Sequence, residues 1–232
     1  MPTRLLHWPQ AWRIIASRYP PIDLYEKLTP DTAVWEALIA LEQLTNPRVR
    51  DQAGDISLVP AEHRISGPGA SYVMASFTHL NRKGSRFSDG SYGVFYLASS
   101  LETAIAETIH HFEAFARAAN DPPREEAMRV LVCEVAGTFD DTNQLKPAEQ
   151  AAVLDPNSYA ASQAFAKAIR TAGSIGIVYT SVRLPGNECV AAFRPNAITL
   201  PVNQERHLLY HWNGKRVDRY FDYSLSSWIT LQ

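Results

Sequence analysis

The stretch that most limits the fold is RVLVCEVAG, residues 129–137. A nearly continuous apolar run of this kind suits a strand buried on both faces. Several neighbouring segments also read as strands. SYGVFYLA alternates, placing Tyr92, Val94 and Tyr96 on one side and Phe95 and Leu97 on the other. GIVYTSVR is a second buried strand, and CVAAFRP and AITLPV are shorter ones. HLLYHW-NG-KRVDRYFDY predicts a hairpin closed by Asn213-Gly214 in a two-residue turn. Two helices interrupt this series. The first is capped by Ser100 and places Leu101, Ala104, Ile105, Thr108, Phe112, Phe115, Ala116 and Ala119 on one face. The second, SYAASQAFAKAIRTAG, closes at Gly173. Strands outnumber helices and do not alternate regularly with them, so the pattern predicts α+β rather than a doubly wound sheet.

Residues 1–62 read as an N-terminal helical extension of a main body spanning 63–232. In TPDTAVWEALIALEQLTNP, Thr29 or Asp31 can cap a helix bearing Trp35, Leu38, Ile39 and Leu41, with Pro20-Pro21 as a break before it and Asn46-Pro47 as its stop. Arg48 to Pro60 is a polar connection. Trp35, Leu38 and Ile39 are a candidate surface for self-association, packing against the chain's own body being their expected use.

At 46% hydrophobic residues the chain can bury a core, and a net charge of −2 gives no global attraction to nucleic acid or an anionic membrane. No stretch approaches the ~20 apolar residues of a membrane span. The N-terminal apolar run is short and broken by Pro9, Arg13 and Arg18, so a soluble cytoplasmic protein is expected. Cys133 and Cys189 have neither a CxxC spacing nor zinc-ligand neighbours, and buried thiols are expected.

The chemistry-bearing candidates cluster in GSRFSDGSYGVFYLASSLETAIAETIHH, residues 84–111. Glu107 sits about 120° from the apolar centre of its helix, on a stripe with Thr103, His111, Ala114 and Ala118. A carboxylate among small uncharged neighbours suits a surface that another molecule approaches closely. The alternative is a flank glutamate in an i,i+4 contact with His111. The preceding loop carries Arg82, Lys83 and Arg86 among glycines, which suits a phosphate or diphosphate; a solvated hairpin connection is its alternative. Neither G-x-G-x-x-G nor G-x-x-x-x-G-K-[ST] occurs, which disfavours a Rossmann or P-loop site. Glu107, His110 and His111 lack the second ligand pair that a metal in a helical bundle would need, so no metal is expected. Ser181 has no G-x-S-x-G elbow around it and reads as a hydrogen-bonding residue rather than a nucleophile.

HRISGPG, GSRFSDGSYGVFYLASSLETAIAET and GIVYTSVRLPGNECVAAFRP, in that order, resemble the RES domain across roughly residues 62–200. By that resemblance Arg64, Arg86, Tyr96, Glu107 and Ser181 match the family's motif positions. His63 stands where many members carry an aromatic residue, and Ser88 where many carry asparagine. The resemblance implies an ADP-ribosyltransferase-like fold of mixed sheets with flanking helices, and the toxin of a toxin–antitoxin pair restrained by an Xre-type helix-turn-helix antitoxin. It also implies NAD as substrate rather than cofactor, cleaved by hydrolysis or phosphorolysis or used to ADP-ribosylate a protein. Catalysis would then fall to Glu107, Arg86 and Tyr96, and NAD binding to Arg64, Arg86, Tyr96 and Ser181. Arg64 and Arg86 would hold the diphosphate, Tyr96 would pack on the nicotinamide, and Ser181 would hydrogen-bond the nicotinamide or its ribose. A non-catalytic nucleotide-binding module is the rival reading. A nuclease is weakened by the net charge and by the lack of a basic, aromatic-interleaved stretch.

Overall fold

The computed structural model describes residues 1–19, 24, 26–29, 31–44 and 53–231. Pro20-Pro21, Asn46-Pro47 and the start of the connection after Arg48 lie outside them. RVLVCEVAG is the centre of β3 (Arg124–Asp141), a long strand that pairs with three others. Along one edge β3 runs antiparallel to β1 (Thr3–Ala16). Along its other edge it pairs antiparallel with β6 (Thr199–Trp212), then parallel with β4 (Gly176–Thr180) through Asp140 and Asp141. β4 pairs with β5 (Glu188–Ala192), β5 with β2 (Phe95–Ala98), and β2 returns to β1 through Trp12 and Ala98. Five strands thus close on themselves, while β6, β7 (Val217–Asp222) and β8 (Ser227–Thr230) extend the sheet outward. The sheet is mixed and the class is α+β, as the strand-rich order predicts.

The expected alternation in SYGVFYLA separates two cores. Phe95 and Leu97 join Leu131, Cys133, Val135, Val178 and Val190 on one face of the sheet. Helices α1 (Trp35–Gln43) and α2 (Ala70–Thr78) cover that face through Trp35, Ile39, Val73, Met74 and Phe77. Tyr92, Val94 and Ala98 join Val130, Ile177, Tyr179 and Ala191 on the other face, covered by α3 (Leu101–Ala118) through Ala104 and Ile105 and by α5 (Ala160–Thr171) through Ala166. A short α4 (Pro147–Val153) precedes α5. Both cysteines are free and buried; burial pushes the Cys133 thiol up to about 12, Arg13 opposing. No helix among the described residues is long and apolar enough to cross a membrane.

Five segments differ from the sequence expectation. Residues 3–16, read as part of a helical extension, are β1; the helix expected after them is present as α1, with Trp35 and Ile39 buried in the chain's own core and Leu38 exposed. α2 was not expected, because ASYVMASFT is buried on nearly every side and has no side-chain cap at its start. Its N-cap, Gly69, has φ 82°, and a Cβ there would stand 2.1 Å from the Val202 carbonyl oxygen, so the SGPG turn docks on β6 only with glycine. Of AITLPV, Thr199 to Val202 begin β6 rather than forming a separate strand, and Ala197 ends a 3-10 turn before it. The β6–β7 hairpin forms, but its loop runs from Asn213 to Arg216: the Asn213 amide donates to the Arg216 carbonyl at 3.1 Å, and Asn213 Oδ1 accepts from the Lys215 and Arg216 amides. On α3, Phe115 is exposed and Ile109 takes part in the core instead.

Candidate active site

Glu107 is set by the cap of its own helix. Ser100 Oγ accepts from the Thr103 amide at 3.2 Å, and Thr103, Ala104 and Ile105 bury the first turns against the sheet. One turn later Glu107 is half-buried and points to the residue that follows β4. There the buried Ser181 Oγ donates to Glu107 Oε1 at 2.6 Å and accepts from the Arg183 and Leu184 amides at 3.2 and 3.0 Å. Its one proton and both lone pairs are therefore committed within the protein. Among the described residues Glu107 Oε2 accepts no hydrogen bond, and the contact made by Glu107 is with Ser181, not the i,i+4 contact with His111. Ser181 is thus a positioning residue for the carboxylate in this arrangement.

Below the carboxylate lie two groups held neutral. Burial, then Glu107, pushes the Cys189 thiol well up; burial, Cys189 and Glu107 do the same to the Tyr179 hydroxyl, with Arg86 opposing. Beside it, burial and then Arg183 hold the His110 imidazole below its ordinary value, with Glu107 opposing. Neither Arg86 nor Arg183 forms an ion pair among the described residues. Arg86 is buried, donates to the Asp155 carbonyl at 2.8 Å, and lies over the Tyr159 ring at 4.7 Å. Arg183 donates to the Pro156 carbonyl at 3.0 Å. The other basic residues of the glycine-rich loop, Arg82 and Lys83, are solvated, as the alternative reading of that loop expects.

The Arg86 loop is pinned from three sides. Phe87 is fully buried, edge-on to Tyr179 at 4.9 Å. Gln163 of α5 donates to the Ser85 and Ser88 carbonyls at 2.9 and 3.1 Å. Tyr96 of β2 supplies the third: its hydroxyl accepts from the Phe87 amide at 3.0 Å and shares a 2.7 Å hydrogen bond with Ser85 Oγ. Burial raises the Tyr96 pKa to about 12. Tyr96 therefore anchors the loop that carries Arg86. Ser88 closes the same loop, donating to the Tyr92 carbonyl at 2.6 Å. Tyr96→Phe is expected to lose about 1 kcal/mol of stability and to weaken ligand binding through Arg86. Urea unfolding and ligand titration read the two effects.

The structure brings Glu107, Ser181, Arg86 and Tyr96 into one neighbourhood and leaves Arg64 out of it. Arg64 is buried beside α1: Nε donates to the Val59 carbonyl at 2.8 Å, Nη1 to the Thr32 carbonyl at 2.9 Å, and Nη2 to Glu36. Its guanidinium is consumed by the segment before it, so its geometry is that of a structural arginine. The second cation near Glu107 is Arg183, which sequence reasoning passed over. It stands two positions after Ser181 in the TSVR step, and its amide is bonded to the serine that holds the carboxylate.

A mixed sheet flanked by helices, with a carboxylate fixed by a buried hydroxyl just beyond the end of β4 and with Arg86 and Arg183 free of ion pairs among the described residues, defines an α+β domain with a polar centre at that end of the sheet. Residues 61–213 match the RES domain, and the chain belongs to that family. It is 29% identical over 213 residues to the uncharacterized protein y4oC of Sinorhizobium fredii (strain NBRC 101917 / NGR234), a match covering 89% of this chain and 84% of that one. Among solved structures, a chain of the M. tuberculosis MbcT-MbcA toxin-antitoxin complex aligns with a TM-score of 0.41 and 16% identity, over 57% of this chain and 74% of its own.

Proposed function

We propose that this protein is the toxin of a toxin–antitoxin pair and acts on NAD by breaking the bond between nicotinamide and ribose. The observation that carries the reading is the Glu107 carboxylate, fixed through one oxygen by Ser181 and open at the other, with Arg86 and Arg183 unpaired nearby. Membership of the RES domain family supports it. As that bond breaks, its electron pair leaves with nicotinamide and positive charge develops on the ribose. A preorganised carboxylate stabilises that charge more in the transition state than in the ground state. The two guanidiniums suit the diphosphate, because each presents paired donors to anionic oxygens. ADP-ribose then passes to water, to phosphate or to a protein side chain; hydrolysis or phosphorolysis is the primary reading and protein ADP-ribosylation the alternative. Such an activity in the cytoplasm requires restraint, for which an Xre-type antitoxin covering the Arg86 loop and Glu107 is the proposed partner.

Incubation of the purified chain with NAD, with and without phosphate and with cell lysate, tests the reading. Nicotinamide release is expected, and the fate of ADP-ribose identifies the acceptor. Release no faster than the spontaneous rate would leave a non-catalytic nucleotide-binding module. Ser181→Ala is expected to lower kcat about tenfold with little change in KM, since it frees the carboxylate without removing it. Arg183→Ala is expected to raise KM as well, because a diphosphate contact exists in both ground and transition states. Steady-state kinetics separate the two.

A further inference from the structure

At the far end of α5 from Arg86, a cavity of about 190 Å³ opens between the segment before Arg64, the loop leading to β2 and the residues after β5. Its floor is apolar, with Phe77, Phe193 and Tyr92 buried. Its rim is basic, with His63, Arg170 and Arg194 converging on it. Arg170 is exposed and lies over the Tyr92 ring at 4.4 Å; among the described residues its donors meet no acceptor. Arg194 commits one nitrogen to the Gly173 carbonyl at 2.9 Å. Neither arginine forms an ion pair among the described residues, whereas Arg4, Arg117, Arg124 and Arg206 all do. The field at the rim is correspondingly positive: burial first, then Arg194, holds the His63 imidazole below its ordinary value, Arg170 acting in the same direction and Glu62 against.

This cavity is distinct from the Glu107 site. Tyr159, beneath Arg86, and Arg170 stand at opposite ends of α5, about 16 Å apart at the rise of an α-helix. Ser181 follows one end of β4, and the Phe193 amide bonds the Ile175 carbonyl at the other, roughly 17 Å away for a five-residue strand.

We infer that this cavity is a second anion site, which takes a single phosphate-type dianion on Arg170, Arg194 and His63. Size narrows the ligand: at about 190 Å³ the cavity falls short of the ~300 Å³ at which small-molecule pockets begin. The cavity opens to solvent, so it suits one phosphate, free or as the head of a monoester whose remainder lies outside it. Planar guanidinium donors match its oxygens, and the aromatic floor accepts an ester carbon.

Calorimetric titration of the full chain at constant ionic strength, balanced with chloride, tests the inference with inorganic phosphate and glycerol phosphate as probes. It is run in the Arg86→Gln/Arg183→Gln background so that both guanidiniums of the Glu107 site are absent. Saturable one-to-one binding is expected, weakened about tenfold by adding Arg170→Gln, which removes one charge-assisted contact from an exposed position. Tighter binding of glycerol phosphate would assign the source to a phosphomonoester, and equal or weaker binding to free phosphate. Absence of saturable binding overturns the inference, as does binding that Arg170→Gln and Arg194→Gln both leave unchanged. The test is independent of NAD turnover.

Discussion

Replacing Glu107 by glutamine is expected to lower nicotinamide release from NAD by two or more orders of magnitude, roughly 3 kcal/mol, while leaving NAD binding largely intact. The substitution keeps size and hydrogen-bonding shape, and the new amide oxygen can still accept the Ser181 proton that Glu107 Oε1 accepts at 2.6 Å. What it removes is the negative charge aimed at a developing cation. A neutral amide leaves the ground state nearly unchanged and the transition state unsupported, so kcat should fall and KM should not rise. Glu102→Gln is the control: it lies on the same helix, about one and a half turns earlier and exposed, and should change little. Single-turnover kinetics with circular dichroism of both variants checks this. Small and equal effects at Glu102 and Glu107 would move the catalytic assignment away from this carboxylate.

Why Glu107 could be singled out from sequence, while other parts of the molecule could not, follows from how each is held. α3 and the buried strands carry their own periods, because one helix face or both strand faces meet a core. Glu107 breaks the pattern of its helix because it serves a contact across the fold, with Ser181 beyond the end of β4. β1 carries no such period. TRLLHWPQAWRIIA contains Pro9, the register against β3 shifts between Trp8 and Ala11, and Leu5 is 81% exposed while Leu6 is buried. A strand with a bulge at a proline and one wet face reads as irregular until its partner is known. Tyr96 and Ser181 were legible as motif positions by resemblance, but not in the contacts they make. A motif match marks a position, whereas the structure shows that one hydroxyl holds a loop and the other a carboxylate. Arg183 escaped notice because only the turn after Ser181 brings it back over the site.

Arg64 gives the other large effect, and it separates two roles that a motif match cannot. If its guanidinium held the diphosphate of NAD, Arg64→Ala would weaken NAD binding and spare the fold. The geometry predicts the reverse. The side chain is 3% exposed and donates to the carbonyls of Val59 and Thr32, and removing it strands both acceptors beneath α1. Its pairing with Glu36 adds little, because that carboxylate is 58% exposed and screened by water. The buried hydrogen bonds and the cavity left behind set the cost at about 3 kcal/mol. Arg64→Lys should recover only part of it, since one ammonium does not reproduce a planar fork that reaches two carbonyls and a carboxylate. Urea unfolding of both variants, with NAD affinity measured well below the unfolding transition, decides between the roles. Lower stability with unchanged affinity in the folded fraction places Arg64 in the scaffold that α1 and the strands share. Full stability with affinity lost would return it to the site.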